Sequence, residues 1–292
     1  MSTTDGPARP SVTGAAEALD NYLARQGTGA TRPPLTYLRR KPGRGLVAVF
    51  GPDDRRNVFT VTADERSLLA VPDGTAPPSV FTIQHFPVDP ELPHLRTVMA
   101  PSEHRRLAEV LESTARRFHG VPSDWPLLRV EAEPVRYKPG DRCVLRYRLG
   151  FAGPGAAGGA DAATRTCTLV AKLYRQPGEA EAADDLLTRL RRQAGVAWTA
   201  RPLGVVPGLP LALTEDLGSA HDSVPAHSGL HLIRPGSEGA VDVIVGAARA
   251  LAELHTSGLD TAGLSRRTGA DEATKASKRA RLLEQYVPDQ VP

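Results

Sequence analysis

The sequence predicts an α+β fold built from antiparallel strands with helices between and after them. The first observation is a series of short runs rich in β-branched and aromatic residues, separated by Gly, Pro and Asp, as is typical of antiparallel strands. The second is a set of longer segments whose apolar residues recur at helical spacing. The third is the length of 292 residues, which is enough for about two domains.

The N-terminal part of the chain divides into a lead-in and a small domain. Residues 1–33 are rich in Gly, Thr and Pro, with one short helical pattern at 15–23, and we expect a flexible lead-in. A cap-like α+β domain is expected over residues 34–125. Its strand patterns lie at residues 46–50, 58–61 and 79–83. Its helix is expected at residues 101–118, where apolar residues share one face.

From residue 127 the pattern becomes a strand, a turn and a returning strand. The turn is Lys138-Pro139-Gly140-Asp141, a combination that favours a tight reversal of the chain. Residues 150–164 are rich in Gly and Ala and indicate a loop. Further strands are expected at residues 167–174, 200–206 and 209–217, and helices at residues 179–193, 241–255 and 268–286.

Charge and cysteine content exclude several classes of function. The 36 Lys and Arg residues face 33 Asp and Glu residues and are spread over both halves of the chain, so we expect no nucleic-acid partner. Cys143 and Cys167 fall in predicted strands, which favours small buried thiols. The N-terminus has no secretory pattern, and no apolar run reaches the roughly 18 residues of a membrane span. We therefore expect a cytoplasmic protein without a membrane partner.

One lysine inside an apolar strand suggests where the chemistry lies. Alternation along residues 167–174 puts Val170 and Lys172 on one face, where an apolar side chain could pack on a base while the ammonium reaches phosphate oxygens. The alternative is a lysine that only extends its ammonium to solvent from a strand. A hairpin, a strand with a lysine, a helix and two more strands is the order of a kinase small lobe, which favours the first interpretation.

These elements resemble the aminoglycoside phosphotransferase/choline kinase-like family over roughly residues 127–258. The matching segments, in chain order, are the hairpin at 135–147, the lysine strand Val170-Ala171-Lys172-Leu173-Tyr174, Arg201-Pro202-Leu203-Gly204, Leu213-Thr214-Glu215-Asp216-Leu217-Gly218, and Leu251-Ala252-Glu253-Leu254-His255. The resemblance implies a protein-kinase-like small lobe at residues 126–217. It implies the start of a helical large lobe, truncated, at residues 218–292.

The resemblance also implies a nucleotide site for ATP. At the phosphates it would have Lys172 and the hairpin residues Lys138 and Gly140. Val170 and Thr214 would lie along the base, and the backbone carbonyl of Glu215 and amide of Leu217 would bind the adenine edge. Glu179 would be the carboxylate that orients the lysine. Asp185 is the alternative to Glu179, because both lie at or near the apolar face of the predicted helix.

The implied activity is an ATP-dependent phosphotransferase acting on a small hydroxylated acceptor such as a sugar or an aminoglycoside. The cap-like domain favours a carbohydrate. The family's His-Gly-Asp loop and magnesium ligands should follow Leu254 and His255 but do not appear, so we expect no catalytic residues in this chain and Mg²⁺ only in a full-length enzyme. Two alternatives stay open: a pseudokinase module that binds nucleotide or a partner, and a structural domain without a nucleotide site.

Overall fold

The computed structural model describes most of the chain, and every structural statement refers to those residues. They are residues 12–27, 29–41, 45–51, 58–63, 81–153, 164–193, 199–217, 240–258, 268–274 and 276–277. The predicted loops at 150–164 and 218–237 and the predicted helix at 268–286 lie largely outside them. The described part of that last segment is helical at 269–274 and 276–277.

The first sheet is a four-stranded antiparallel meander covered by a helix. Its elements are helix α1 (Val12–Arg25) and strands β1 (Leu35–Lys41), β2 (Gly45–Phe50), β3 (Phe59–Ala63) and β4 (Phe81–His85). Leu19 of α1 is fully buried against a cluster that includes Phe50 and Val61. The expected flexible lead-in therefore contains a helix that belongs to this core. Strand β1 was missed, because Arg39, Arg40 and Lys41 obscure its apolar alternation.

A helical segment links the two sheets. It consists of α2 (Leu95–Met99), a 3-10 turn (Pro101–Glu103) and α3 (Arg105–His119). The predicted helix at 101–118 is confirmed as α3, except that its first turn is separate because His104 has a non-helical backbone (φ −121°, ψ 86°). Helix α3 ends at Gly120, whose positive φ of 65° suits glycine.

The second sheet has five antiparallel strands in the order β5-β6-β7-β9-β8. Its elements are β5 (Leu127–Lys138), β6 (Arg142–Ala152), β7 (Thr164–Tyr174), helix α4 (Pro177–Gln193), β8 (Pro202–Val205) and β9 (Leu211–Glu215). Side chains of β6 and β7 alternate between buried and half-buried, which confirms the period-2 pattern in the sequence. Helix α4 follows the third strand and packs on β7, β8 and β9.

One hydrophobic core joins the helical segment to the second sheet. Leu95 of α2 and Leu111 of α3 are buried in the same cluster as Leu145, Leu149 and Leu169 of the sheet. The core therefore contains residues from both sides of position 125, where the expected domain boundary stays a prediction. The sequence pattern could not reveal this, because the contacts join residues far apart in the chain.

The last described long helix is α5 (Ala240–Thr256), and four of its large apolar side chains are exposed: Val241, Ile244, Val245 and Leu251. Val241 is 71% exposed and Leu251 is 53% exposed. The architecture of the described residues is α+β with two antiparallel sheets and helices, as predicted. None of the described helices combines the length and the apolar character that crossing a membrane requires.

Candidate functional site

Three of the predicted site residues meet on one face of the second sheet. Val170 and Lys172 are two residues apart on β7 and therefore lie on the same face of the sheet. Thr214 of β9 lies directly opposite Val170 in the register of the two strands. Val144 of β6 lies opposite Lys172 from the other side. All four side chains are half-buried, whereas the opposite face of the sheet forms the core. The result is a half-buried sheet face on which Lys172 lies beside Val144, Val170 and Thr214.

Lys172 has an aromatic neighbour and, among the described residues, no ion-pair partner. Its Nζ lies 4.5 Å from the ring centroid of Tyr174, which is a cation–π distance. Within the described part of the chain, every ion pair involves other residues, so no carboxylate neutralises this ammonium. A lysine held this way keeps its three N–H donors largely available to an anion.

The carboxylate expected to orient Lys172 does not do so in this structure. Glu179 is exposed, and its Oε2 accepts a hydrogen bond from the backbone N–H of Gln176 at 3.2 Å. This contact satisfies a free amide at the start of α4, as in a capping box. Asp185, the alternative, pairs with Arg189 one helical turn away at 2.9 Å. Both carboxylates therefore make contacts at the start of α4 or within it.

The predicted hinge begins where β9 ends. The Oε1 atom of Glu215 accepts a hydrogen bond from the backbone N–H of Arg201 at 2.7 Å, so its side chain fastens β9 to the residue before β8. Leu217 is 54% exposed, which leaves this segment at the surface. Gly218, the end of the matching motif, lies outside the described residues.

A buried ion pair ties this hinge to the sheet, and sequence reasoning missed it. The Nε of Arg146 donates to Oδ2 of Asp216 at 2.8 Å, and the two side chains are 19% and 5% exposed. Arg146 lies opposite Val170 in the strand register, so the pair borders the surface described above. The sequence signal for this pair was an arginine at a half-buried strand position. The sequence could not identify its partner, because Asp216 is 70 residues away.

The hairpin turn is bound by carboxylates. The Lys138 ammonium forms an ion pair with Asp141. Burial raises the pKa of the Asp141 carboxyl, but the hydrogen bond and charge of Lys138, with Arg142 and Arg39 nearby, outweigh it and lower the pKa. The backbone N–H of Gly140 donates to Oδ2 of Asp89 at 2.8 Å. While these contacts persist, neither Lys138 nor Gly140 is free to bind a phosphate as the resemblance implies.

A large open cleft lies elsewhere in the molecule. It has a volume of about 1030 Å³ and runs along the outer edge of β5, beside α2 and the 3-10 turn. Its lining mixes both charge signs with apolar side chains and includes Arg96, Glu131 and Arg148. Lys172, Val170 and Thr214 are not part of it. Size alone favours this cleft, but it lies apart from the site residues that the sequence predicts.

The described residues contain no cluster of potential metal ligands. No three His, Cys, Asp or Glu side chains among them converge as a set of ligands. The Mg²⁺ implied for a full-length enzyme therefore has no ligand set of its own in the described part of the chain.

The fold and the site thus define an α+β protein with an ammonium on a half-buried sheet face. Comparisons with protein-family models, with curated proteins and with solved structures found no match to this chain.

Proposed function

We propose that the chain binds ATP on the face of the second sheet that carries Lys172, as the nucleotide-binding part of an ATP-dependent phosphotransferase. In this proposal Lys172 neutralises phosphate charge and Val170 and Thr214 contact the base. The hinge after Glu215 supplies backbone hydrogen bonds to the adenine edge. The acceptor is a small hydroxylated molecule such as a sugar or an aminoglycoside.

The order of the elements supports this proposal. A hairpin, β5 and β6, comes first, the lysine strand β7 follows, and helix α4 separates it from β8 and β9. This is the order on which the resemblance to a kinase small lobe rests. Strand β9 pairs directly with β7, so the hinge that follows β9 begins next to the strand that carries Lys172.

The single observation that carries the proposal is the state of Lys172. Keeping an ammonium half-buried without a carboxylate is unfavourable unless an anion or water compensates for its lost hydration. The cation–π contact with Tyr174 compensates in part, by about 0.5–2 kcal/mol. The apolar Val170 on the same face offers a place for a flat ring beside that charge.

The test is a set of binding titrations with ATP, ADP and adenosine on the full chain. Lys172→Ala should weaken ATP and ADP binding at least about tenfold, since a charge-assisted hydrogen bond to phosphate contributes about 1.5–3 kcal/mol. Adenosine has no phosphate and should bind both proteins equally. The matched control is Arg105→Ala, which removes a cation that is 92% exposed on α3.

Two outcomes would contradict the proposal. One is the absence of ATP binding by the wild-type chain at millimolar concentration. The other is an equal loss of ATP and adenosine binding in Lys172→Ala, which would indicate a general disturbance of the sheet. Binding of ATP without transfer of its terminal phosphoryl group to any hydroxylated acceptor would favour the non-catalytic nucleotide-binding module.

A further inference from the structure

We propose that Asp89 is a positioning residue that holds the hairpin turn, residues 138–141, in place beside the nucleotide site. The inference rests on the proposed function, because it treats that turn as a wall of the nucleotide site. It adds that the chain preceding the second sheet contributes to the site by holding the turn.

Asp89 collects three donors although it is nearly inaccessible to water. Asp89 is 6% exposed. Oδ2 accepts the hydroxyl hydrogen of Tyr137 at 2.9 Å and the backbone N–H of Gly140 at 2.8 Å. Oδ1 accepts the backbone N–H of Glu91 at 3.0 Å. A buried carboxylate is stable only when hydrogen bonds replace its hydration, and these three donors do so.

Neighbouring contacts fix the same two segments to each other. The rings of Phe86 and Tyr137 meet edge to face with centroids 5.1 Å apart. A Cβ at Gly140 would lie 3.7 Å from Cβ and Cγ of Glu91, so the Glu91 side chain packs against the turn. The Glu91 carboxylate also forms an ion pair with Arg175, just after the lysine strand. The segment around Asp89 therefore contacts both the turn and the end of β7.

The protonation state of Tyr137 favours its contact with Asp89. Burial raises the pKa of its hydroxyl, and the charge and hydrogen bond of Asp89 raise it further. The hydroxyl is therefore protonated at neutral pH and can donate to Asp89. Because the bond to Gly140 is also charge-assisted, a phosphate that competes for that N–H would have to replace a short, buried contact.

These contacts decide what the turn does. Gly140 adopts a positive φ of 66°, and its N–H is engaged by Asp89. The turn therefore acts as a preformed wall, and the phosphate charge is left to Lys172. Fixing the turn before binding removes an entropy cost that a free hairpin would incur each time a nucleotide bound.

The experiment compares Asp89→Ala and Asp89→Asn with the wild-type full chain. Hydrogen exchange at the Gly140 amide should accelerate at least about tenfold in Asp89→Ala, because its acceptor is gone. The dissociation constant for ATP should rise about three- to tenfold, whereas that for adenosine stays constant. Asp89→Asn keeps one acceptor oxygen but replaces the other with an NH2 group, so it should recover only part of both effects. Asp20→Asn, which alters an exposed ion pair with Arg32, is the control.

The outcomes separate this inference from the proposed function. If the wild-type chain does not bind ATP, the proposed function fails and the inference fails with it, even where the exchange result shows that Asp89 holds the turn. If the wild-type chain binds ATP and Asp89→Ala binds it equally well or more tightly, only the inference is overturned. Should Asp89→Ala not fold, Tyr137→Phe removes one donor to Asp89 and should give smaller changes in the same directions.

Discussion

Removal of Asp216 tests how strongly the predicted hinge is fastened to the sheet. Its Oδ2 accepts a hydrogen bond from the Nε of Arg146 at 2.8 Å. Asp216→Ala would leave Arg146 without a carboxylate partner among the described residues. Since the Arg146 side chain is only 19% exposed, its guanidinium cannot become fully hydrated without a local rearrangement.

The magnitude follows from the exposure of the two groups. Breaking a fully buried pair from one side costs about 3–5 kcal/mol, but the Arg146 side chain is 19% exposed and recovers part of its hydration. We therefore expect Asp216→Ala to lower the free energy of unfolding by about 2–3 kcal/mol. The double variant Arg146→Met with Asp216→Ala should be less destabilised than the sum of the single variants, by about 1–2 kcal/mol.

Urea denaturation followed by far-UV circular dichroism measures these differences. The wild type, the two single variants and the double variant form a double-mutant cycle, which gives the coupling energy of the pair. Arg148 and Glu133 form a comparable pair at 2.9 Å, but their side chains are 43% and 35% exposed, so they provide a matched control with an expected coupling below about 1 kcal/mol. A coupling near zero for Arg146 and Asp216, or one no larger than the control, would refute the reasoning.

Two further predictions concern the core and the hairpin turn. Leu169 is fully buried, so Leu169→Ala should cost about 2–5 kcal/mol in chemical denaturation, whereas Leu128→Ala, at a position 60% exposed, should change stability by less than about 0.5 kcal/mol. The lowered pKa of Asp141 in the folded state means that its stabilising contribution is present above about pH 4 and is lost as the pH falls through that lowered value. Asp141→Asn should therefore reduce stability more at pH 5 than at pH 2.5, and an equal effect at both values would contradict this.

Local patterns predicted the second sheet well. Alternation identified β6 and β7 and put Val170 and Lys172 on the same face, because successive side chains of a strand point to opposite sides. Helical spacing identified α3, α4 and α5 to within a few residues. The pattern failed at β1, whose charged C-terminal half hides a strand that pairs along its length with β2.

The choice of a carboxylate for Lys172 illustrates a different failure. Glu179 lies near the correct face of α4, yet in the first turn of a helix a glutamate side chain reaches a free backbone amide at little entropic cost. A helical wheel shows which residues share a face but not which donors compete for them. The tertiary arrangement decided this, because Lys172 contacts the ring of Tyr174 whereas Glu179 accepts from the N–H of Gln176.

The sequence by itself determined the elements whose signal is local: the hairpin, the lysine strand, the helix after it and the alternation that orients Lys172. Only the tertiary structure decided that β9 inserts between β7 and β8. It also decided that Asp89 holds Gly140 from 51 residues away and that Arg146 pairs with Asp216 from 70 residues away. The physical reason is that periodicity reports the environment of a side chain through its near neighbours, whereas the partner of a buried charge is set by how distant segments pack.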